Sequence, residues 1–314
     1  METRLILKAS SFIFLLILGV PTNLTVLMSF FFIGISGNKI MTADIILIKL
    51  SFVNLTVVIS RALPPLMTTI SQQKLFNDHL CKFIIFVYRV FRAMSICITA
   101  VLSCYQCIVL LPHSSRWVTL KQKISQNILV IFLILWSINS IIDIPGGLIY
   151  IFSDVNSTIP KYTLNLEYCF IIFPHSFAYV ANGATYTLRD FLFVGLMASA
   201  SGYIITILQR HKKQVQSIRS PVQNQVNSAE TRAAKAVVVL VTVYIILFGI
   251  DNIMWIYTIT VSNVAPVVSD ARVFFTLFYA AVSPIIIIGT NKKIQLALRC
   301  ISLENKKKSK YSDS

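Results

Sequence analysis

The sequence predicts an all-α membrane protein in which seven helices form a transmembrane bundle. The 314 residues are 56% hydrophobic and only 13% charged, and their mean hydropathy is +0.74. Soluble domains carry about a quarter charged residues. Seven long apolar runs divide the chain, and a hydrocarbon core about 30 Å thick is crossed by roughly 20 helical residues. These observations exclude a water-soluble globular domain.

Each apolar run is predicted to be one membrane span, and the spans divide the chain into three regions. The predicted spans are 10–35, 43–68, 81–111, 126–150, 188–209, 234–260 and 271–290. The first run begins like a signal peptide, but it continues through Val26 to Ile33 and has no small-residue cleavage pattern. We therefore predict an extracellular tail over 1–9, a seven-helix domain over 10–290 and a cytoplasmic interfacial helix with a basic tail over 291–314.

The distribution of basic residues predicts that the N-terminus is extracellular. With that orientation seventeen lysines and arginines lie on the cytosolic side and seven lie outside, Arg189 and Arg272 among the seven. Cytosolic loops of membrane proteins carry such an excess. The net charge of +16 therefore follows from topology. A nucleic-acid partner is not predicted, because the basic residues are not gathered on one folded face.

Three sites of covalent modification are predicted outside the membrane core. Cys81 and Cys169 both reach the outer side, where they form either a disulfide that holds the loop after span four over span three, or two free thiols. Asn156 begins a sequon in that loop and is a candidate for glycosylation. Cys300 ends an apolar and basic segment that is either an interfacial helix with a palmitoylation site or a solvated tail.

Two arginines stand out inside span three because charges within a bilayer are costly and are usually paired or face a cavity. Arg89 and Arg92 are three residues apart, so both lie on one face of the helix. Asp143, Asp190 and Asp251 are the candidate counter-charges in later spans. Two interpretations stay open: the arginines bind an acidic or hydrogen-bond-accepting ligand, or they lock the helices together through aspartates.

Other polar and helix-breaking residues within the spans have structural interpretations. Lys49 and Arg61 are near the two ends of span two, and we expect their side chains to extend to the membrane interfaces. Asn23 and Asn54 are expected to hydrogen-bond neighbouring helices, as packing or switch residues. Pro284 should kink span seven, where the kink is either a hinge or only a feature of shape.

No enzymatic motif is found, so neither a metal nor a cofactor is predicted. The four histidines fall in loops or at span ends, and no clustered metal-ligand pattern occurs. The segment Gly34-Ile-Ser-Gly37 resembles the nucleophile signature of rhomboid proteases, but no later span contains a histidine to act as its base. A transporter would show matching broken helices in two halves, and seven spans show no such repeat.

The spans and several motifs together resemble the rhodopsin-like G-protein-coupled receptors. The features that carry this resemblance are the outer cysteine pair, Asn23, Trp136 in span four and Pro284 in span seven. Other positions depart from the common pattern. Tyr105-Gln106-Cys107 is the nearest polar run to the place where most such receptors have Asp-Arg-Tyr, Ser283 precedes Pro284, and Asn54 replaces the usual aspartate.

With these departures the chain resembles the vomeronasal type 1 pheromone receptors and their fish olfactory relatives. The most specific part of the resemblance runs from Tyr88 to Gln106. The other matching segments are 50–55, 60–64, 81–82, 201–203, 210–216, 230–233 and 283–284. A bitter-taste receptor is the nearest alternative, but the cysteine pair and Arg89-Val-Phe-Arg92 disfavour it.

The resemblance implies a plasma-membrane chemosensory receptor that binds a small odorant or pheromone and activates a heterotrimeric G protein of the inhibitory class. Because the span-three arginines and the loop sequon recur in that family, these roles carry over to Arg89, Arg92 and Asn156. We add Tyr88 and Asp251 as candidate ligand contacts. The remaining candidate switch or packing positions are Gln106, Tyr203 and Pro284.

Overall fold

The computed structural model describes residues 2–71, 75–111, 115–147, 150–154, 163–166, 168–217, 224–260 and 266–300. Within these ranges seven helices are long and apolar enough to cross a membrane. They are α1 (Glu2–Ile35), α2 (Thr42–Ser71), α3 (Asp78–Leu110), α4 (Ser115–Gly147), α5 (Ser176–Ser217), α6 (Asn224–Thr260) and α7 (Pro266–Thr290). The predicted seven-helix membrane fold is therefore confirmed.

A small antiparallel sheet lies between α4 and α5 in the chain. Its strands β1 (Ile151–Phe152), β2 (Thr163–Asn165) and β3 (Phe170–Ile172) are arranged in the order β1-β3-β2. The register places Ile171 opposite both Ile151 and Leu164, so β3 is the central strand. We call the end of the bundle that carries this sheet the sheet end, and the opposite end, which carries the helical residues 292–300, the tail end.

Several helices extend beyond the predicted spans, and this changes where two arginines lie. Helix α5 begins at Ser176 and α7 at Pro266, so Arg189 and Arg272 are helical residues inside the bundle. We had expected both arginines at the outer ends of spans five and seven, but the two helices begin well before them. The early turns of α5 are rich in small and polar residues, and some of those side chains line an internal cavity instead of contacting lipid. Because these turns have low hydropathy, we had placed them in the loop before span five. Helix α1 begins at Glu2, ahead of the predicted span.

Helix α3 is the central helix of the bundle. It contacts α2, α4, α5 and α6, and most of its residues from Val90 to Gln106 are buried. The main hydrophobic core is built around this helix and includes Met94 and Leu102. Phe91 of α3 packs edge-on against Trp136 of α4, with ring centroids 4.7 Å apart. The side chains of α3 are therefore held in place by contacts with four neighbouring helices.

Helices α1, α2 and α7 approach each other closely at Gly19. A Cβ atom at this position would lie 3.1 Å from Val58 Cγ2 and 3.2 Å from the Cα of Ala281. One turn further along α1, the buried Asn23 side chain donates from Nδ2 to the carbonyl of Ala280 at 3.0 Å. The small residue at Gly19 thus allows the helix approach that the Asn23 hydrogen bond needs.

Replacing Gly19 with leucine is expected to destabilise the fold by about 1–3 kcal/mol, because the added side chain overpacks this junction. The thermal unfolding midpoint of the purified protein in detergent measures the effect. Gly195→Leu is the matched control, since Gly195 is also helical and a Cβ there meets nothing within 4 Å. Equal midpoints for the two variants would contradict the close approach described at Gly19.

A buried polar network joins α2, α3 and α7 within the bundle. Asn54 donates from Nδ2 to Ser283 Oγ at 2.8 Å and accepts from Ser95 Oγ at 2.6 Å. Near it, the hydroxyls of Thr99 and Tyr279 are hydrogen-bonded at 2.9 Å. All of these side chains are buried. Polar contacts of this kind fix how neighbouring membrane helices are rotated relative to each other.

The tail end is closed by contacts between the α1–α2 turn and the segment after α7. Gly37 has φ 72°, the left-handed conformation that glycine adopts readily at a helix C-terminus. Asp44 in the first turn of α2 accepts from the Lys293 ammonium at 2.6 Å. Residues 292–300 are helical, and Gln295 donates to the carbonyls of Ile288 and Gly289. An interfacial position for this helix stays a prediction.

Candidate functional site: a cavity at the sheet end

A cavity of about 510 Å³ lies at the sheet end of the bundle. Its walls come from α2, α3, α5, α6 and α7, and residues of the sheet and its connections also line it. Cavities of about 300–1,000 Å³ that combine apolar walls with a few polar groups are typical of small-molecule sites. The aromatic part of the wall includes Tyr88, Phe173, Tyr179, Tyr186, Phe248 and Trp255.

The sheet is tethered over the cavity by a disulfide. Cys81 of α3 and Cys169, which precedes β3, form this bond with their Cα atoms 5.9 Å apart. Both half-cystines are fully buried, in a cluster that includes Ile85, Ile151 and Ile171. The backbone and the hydroxyl of Ser153 donate to Asp78 at the start of α3. The disulfide predicted from sequence is confirmed, and it gives the cavity a fixed cover.

Arg92 connects three helices through ion pairs at the cavity wall. Its guanidinium lies 3.1 Å from the carboxylate of Asp190 on α5 and 3.3 Å from that of Asp251 on α6. Asp251 also accepts from Arg272 Nε of α7 at 2.9 Å and from the hydroxyl of Thr276 at 3.2 Å. Arg92 and Asp251 therefore belong to a charge cluster that spans α3, α5, α6 and α7.

Arg89 makes a second, looser set of contacts toward α4 and α5. It donates to the Tyr186 hydroxyl at 3.1 Å and lies 3.9 Å from the Asp143 carboxylate. The Tyr186 hydroxyl in turn donates to Asp143 at 2.6 Å. Arg189 forms an ion pair with its neighbour Asp190 at 2.8 Å. All three candidate counter-charges therefore contact arginines, as the helix-locking interpretation expects, while the same arginines also line the cavity.

Sequence reasoning missed Arg61 as a cavity residue. We expected its side chain to extend to the membrane interface, but it is buried, lines the cavity and lies 5.4 Å from the centre of the Tyr88 ring. The physical reason is the length of α2, which continues to Ser71. At 1.5 Å per residue, Arg61 is roughly 15 Å from that helix end. Lys49, by contrast, is exposed, and its extension to the membrane interface stays a prediction.

The predicted switch or packing residues differ in their surroundings. Asn23, Asn54 and Gln106 are buried, and the first two hydrogen-bond other helices as described above. Pro284 is buried within α7, which continues past it to Thr290. Tyr203 is 47% exposed on α5, and its role as a switch or packing residue stays a prediction. The sequence does not show whether that side chain is exposed, because the rotation of α5 about its axis decides which residues face outward.

The two modification sites remain predictions. Asn156 lies outside the residues that the structure describes, so glycosylation there rests on the sequon. Cys300 is exposed, with a free thiol, at the end of the helical segment 292–300. Exposure makes its sulfur accessible, as acylation requires, but the modification itself stays a prediction.

The seven spans and the covered cavity define a multi-pass membrane protein built as a seven-helix receptor. The model of the vomeronasal organ pheromone receptor family matches residues 8–300, and the chain belongs to this family. The resemblance found in the sequence is thereby confirmed. The match also confirms that the chain is a chemosensory receptor and not an enzyme, because the family consists of receptors.

Individual relatives agree with this assignment along nearly the whole chain. The chain is 37% identical to the "Olfactory receptor class A-like protein 1" of Danio rerio, over 98% of this chain and 96% of the relative. It is 28% identical to the "Vomeronasal type-1 receptor 90" of Rattus norvegicus, over 94% of both chains. It is 27% identical to the "Vomeronasal type-1 receptor 1" of Gorilla gorilla gorilla, over 90% of this chain and 80% of the relative.

Proposed function

We propose that this chain is a plasma-membrane chemosensory receptor that binds a small odorant or pheromone in the sheet-end cavity and activates a heterotrimeric G protein. The observation that carries the proposal is the cavity of about 510 Å³ beneath a disulfide-tethered sheet in a member of the vomeronasal receptor family. The sheet end and the N-terminus face the extracellular side in this proposal. The excess of basic residues in segments at the tail end supports that orientation.

The proposed ligand contacts are Tyr88, Arg89, Arg92 and Asp251, all of which line the cavity. A ligand that binds one helix arrangement better than another shifts the population toward that arrangement. The charge cluster around Arg92 joins α3, α5, α6 and α7, so a ligand that competes for one of its ion pairs changes the relative free energies of helix arrangements. This is the proposed first step of signalling.

The proposed coupling surface is the tail end, where helices α5 and α6 extend beyond the bundle core with Arg210, Arg232 and Lys235. A G protein of the inhibitory class is the partner that the family resemblance implies. Helix α3 has Tyr105-Gln106-Cys107 where the common arginine switch is expected, and Tyr105 and Gln106 are buried. Activation in this chain therefore proceeds without an arginine at that position.

A cavity-filling variant tests the proposal. Gly183 of α5 lines the cavity, and a Cβ there would lie 2.7 Å from Trp255 Cζ2, so Gly183→Leu fills space and displaces the tryptophan. Cells that express the receptor with an inhibitory-class G protein are screened with small volatile and water-soluble odorants, and the fall in cyclic AMP is recorded. We expect active odorants to lose at least about tenfold in potency with Gly183→Leu, since one misplaced side chain in a packed pocket costs over 1 kcal/mol.

The matched control is Gly195→Leu, which lies on the same helix where a Cβ meets nothing within 4 Å. Surface staining of both variants separates a binding defect from a failure to reach the membrane. Potencies that are equal in Gly183→Leu and Gly195→Leu would place the ligand outside this cavity. Substrate flux or peptide cleavage by the reconstituted protein without a G protein would instead contradict the receptor function.

A further inference from the structure

The cavity carries more positive than negative charge among the described residues. Five arginines line it: Arg61, Arg89, Arg92, Arg189 and Arg272. The ion pairs described above bring three aspartates to four of these arginines. Arg61 is the remaining one, and it has no acidic partner in the part of the chain that the structure describes. Five arginines against three aspartates leave two positive charges in excess, and Arg61 is the arginine that has no carboxylate beside it among the described residues.

Arg61 is only 8% exposed, so its guanidinium is largely removed from solvent. Burial of an unpaired charge is unfavourable, and buried arginines are normally paired with an anion or with several acceptors. The Tyr88 ring, 5.4 Å away, offers only a weak cation–π attraction. An anion beside the guanidinium would remove this penalty, and the cavity gives such an anion room.

Tyr168 lies close enough to Arg61 for the two side chains to interact, and its hydroxyl is a second under-satisfied polar group at the same place. Its side chain is 5% exposed and lines the cavity, yet its hydroxyl makes no well-formed hydrogen bond with any described residue. Burial raises the pKa of Tyr168, and the positive charge of nearby Arg61 opposes that rise only partly. The hydroxyl therefore stays protonated at neutral pH and can donate. Cys169 follows directly, so the disulfide fixes the backbone beside it.

We propose that Arg61 and Tyr168 form a subsite for the carboxylate of a small organic acid, with Tyr88 beside it. This inference rests on the proposed receptor function and names the ligand class for its cavity. A carboxylate accepts two hydrogen bonds from a planar guanidinium and has lone pairs left for the Tyr168 hydroxyl. Arg61 is the guanidinium without an acidic partner among the described residues, so we expect the carboxylate to bind there. The apolar part of the acid lies toward the aromatic wall of the cavity.

Matched acids and amides test the subsite by binding alone. The full-length receptor is purified in detergent, and its thermal midpoint is measured with octanoate against octanamide and with benzoate against benzamide. We expect the acids to raise the midpoint and the amides to leave it unchanged. Sodium chloride at the same concentration is the control for a free inorganic anion. An equal rise with chloride, an equal rise with the amides, or no rise with either acid would overturn the proposal.

Three variants locate the effect. Arg61→Gln is expected to raise the acid concentration for a half-maximal shift by about tenfold or more, because a charge-assisted hydrogen-bonded pair is lost. Tyr168→Phe removes one oxygen atom and should raise the acid concentration for a half-maximal shift several-fold. This second variant keeps the test usable if Arg61→Gln fails to fold. Lys49→Gln is the matched control, since Lys49 is an exposed cation on the same helix. Acid shifts that persist unchanged in both cavity variants would overturn the subsite.

The same measurements separate this inference from the proposed function. An acid-specific shift that depends on Arg61, without any change in cyclic AMP in cells, supports the subsite and contradicts signalling through the G protein tested. A cyclic AMP response to odorants, combined with acid shifts that are absent or unaffected by Arg61→Gln and Tyr168→Phe, supports the receptor function and overturns the carboxylate subsite. Each result therefore assigns failure to one of the two proposals.

Discussion

Arg92→Met is expected to lower the free energy of unfolding by about 3 kcal/mol. Breaking a buried ion pair costs about 3–5 kcal/mol, because the partner charge stays buried without compensation. Arg92 contacts two carboxylates, those of Asp190 and Asp251. Each of these keeps a second arginine, Arg189 or Arg272, so we expect the lower end of that range. The measurement is the unfolding midpoint of the purified receptor in detergent.

Two further variants make this result specific. Arg299→Met removes an arginine that is exposed in the helical segment 292–300, and we expect its midpoint to equal that of the unmodified chain. Arg92→Lys keeps the charge but lacks the planar fork, so it should retain one of the two contacts and give an intermediate midpoint. If Arg92→Met unfolds at the same temperature as Arg299→Met, the charge cluster does not stabilise the bundle.

Loss of the disulfide is expected to have a comparable effect. Cys81 and Cys169 are 88 residues apart, and removing a native disulfide typically costs about 2–5 kcal/mol, through the larger freedom of the unfolded chain in the loop-entropy account. We expect the Cys81→Ser, Cys169→Ser double variant to unfold at a lower temperature and to respond less to odorants, since the sheet that covers the cavity loses its tether.

The matched control is Cys300→Ser, which removes an exposed free thiol at the tail end. Its midpoint should not change. A reducing agent should lower the midpoint of the unmodified receptor toward that of the double variant and leave the double variant unaffected. A midpoint of the double variant equal to that of Cys300→Ser would show that the 88-residue connection does not need the bond for stability.

The cavity shows which parts of a site can be read from a sequence. Arg89 and Arg92 were identified because charges are rare in apolar runs, and their spacing fixed a shared helix face. Their partners were identified only as a set of aspartates. Which aspartate meets which arginine depends on how each helix is rotated about its axis, and side-chain packing around α3 decides that rotation.

Arg61 and Arg189 show where sequence reasoning failed. Both were placed by their distance from the ends of apolar runs, but α2 and α5 continue beyond those runs. The extension of α5 carries polar residues that line the cavity, and a cavity wall has low hydropathy although it lies within the bundle. Hydropathy reports contact with lipid, so it does not distinguish a loop from a helix face that lines an internal cavity.

The sequence by itself determined the seven crossings, the pair of cysteines available for a disulfide and the family, because apolar run length and local motifs are properties of contiguous residues. Only the tertiary structure decided that the aspartates satisfy Arg92 and Arg89 while Arg61 is left without an acidic partner among the described residues. Charge balance within a cavity depends on side chains from separate helices, and only packing brings those side chains together.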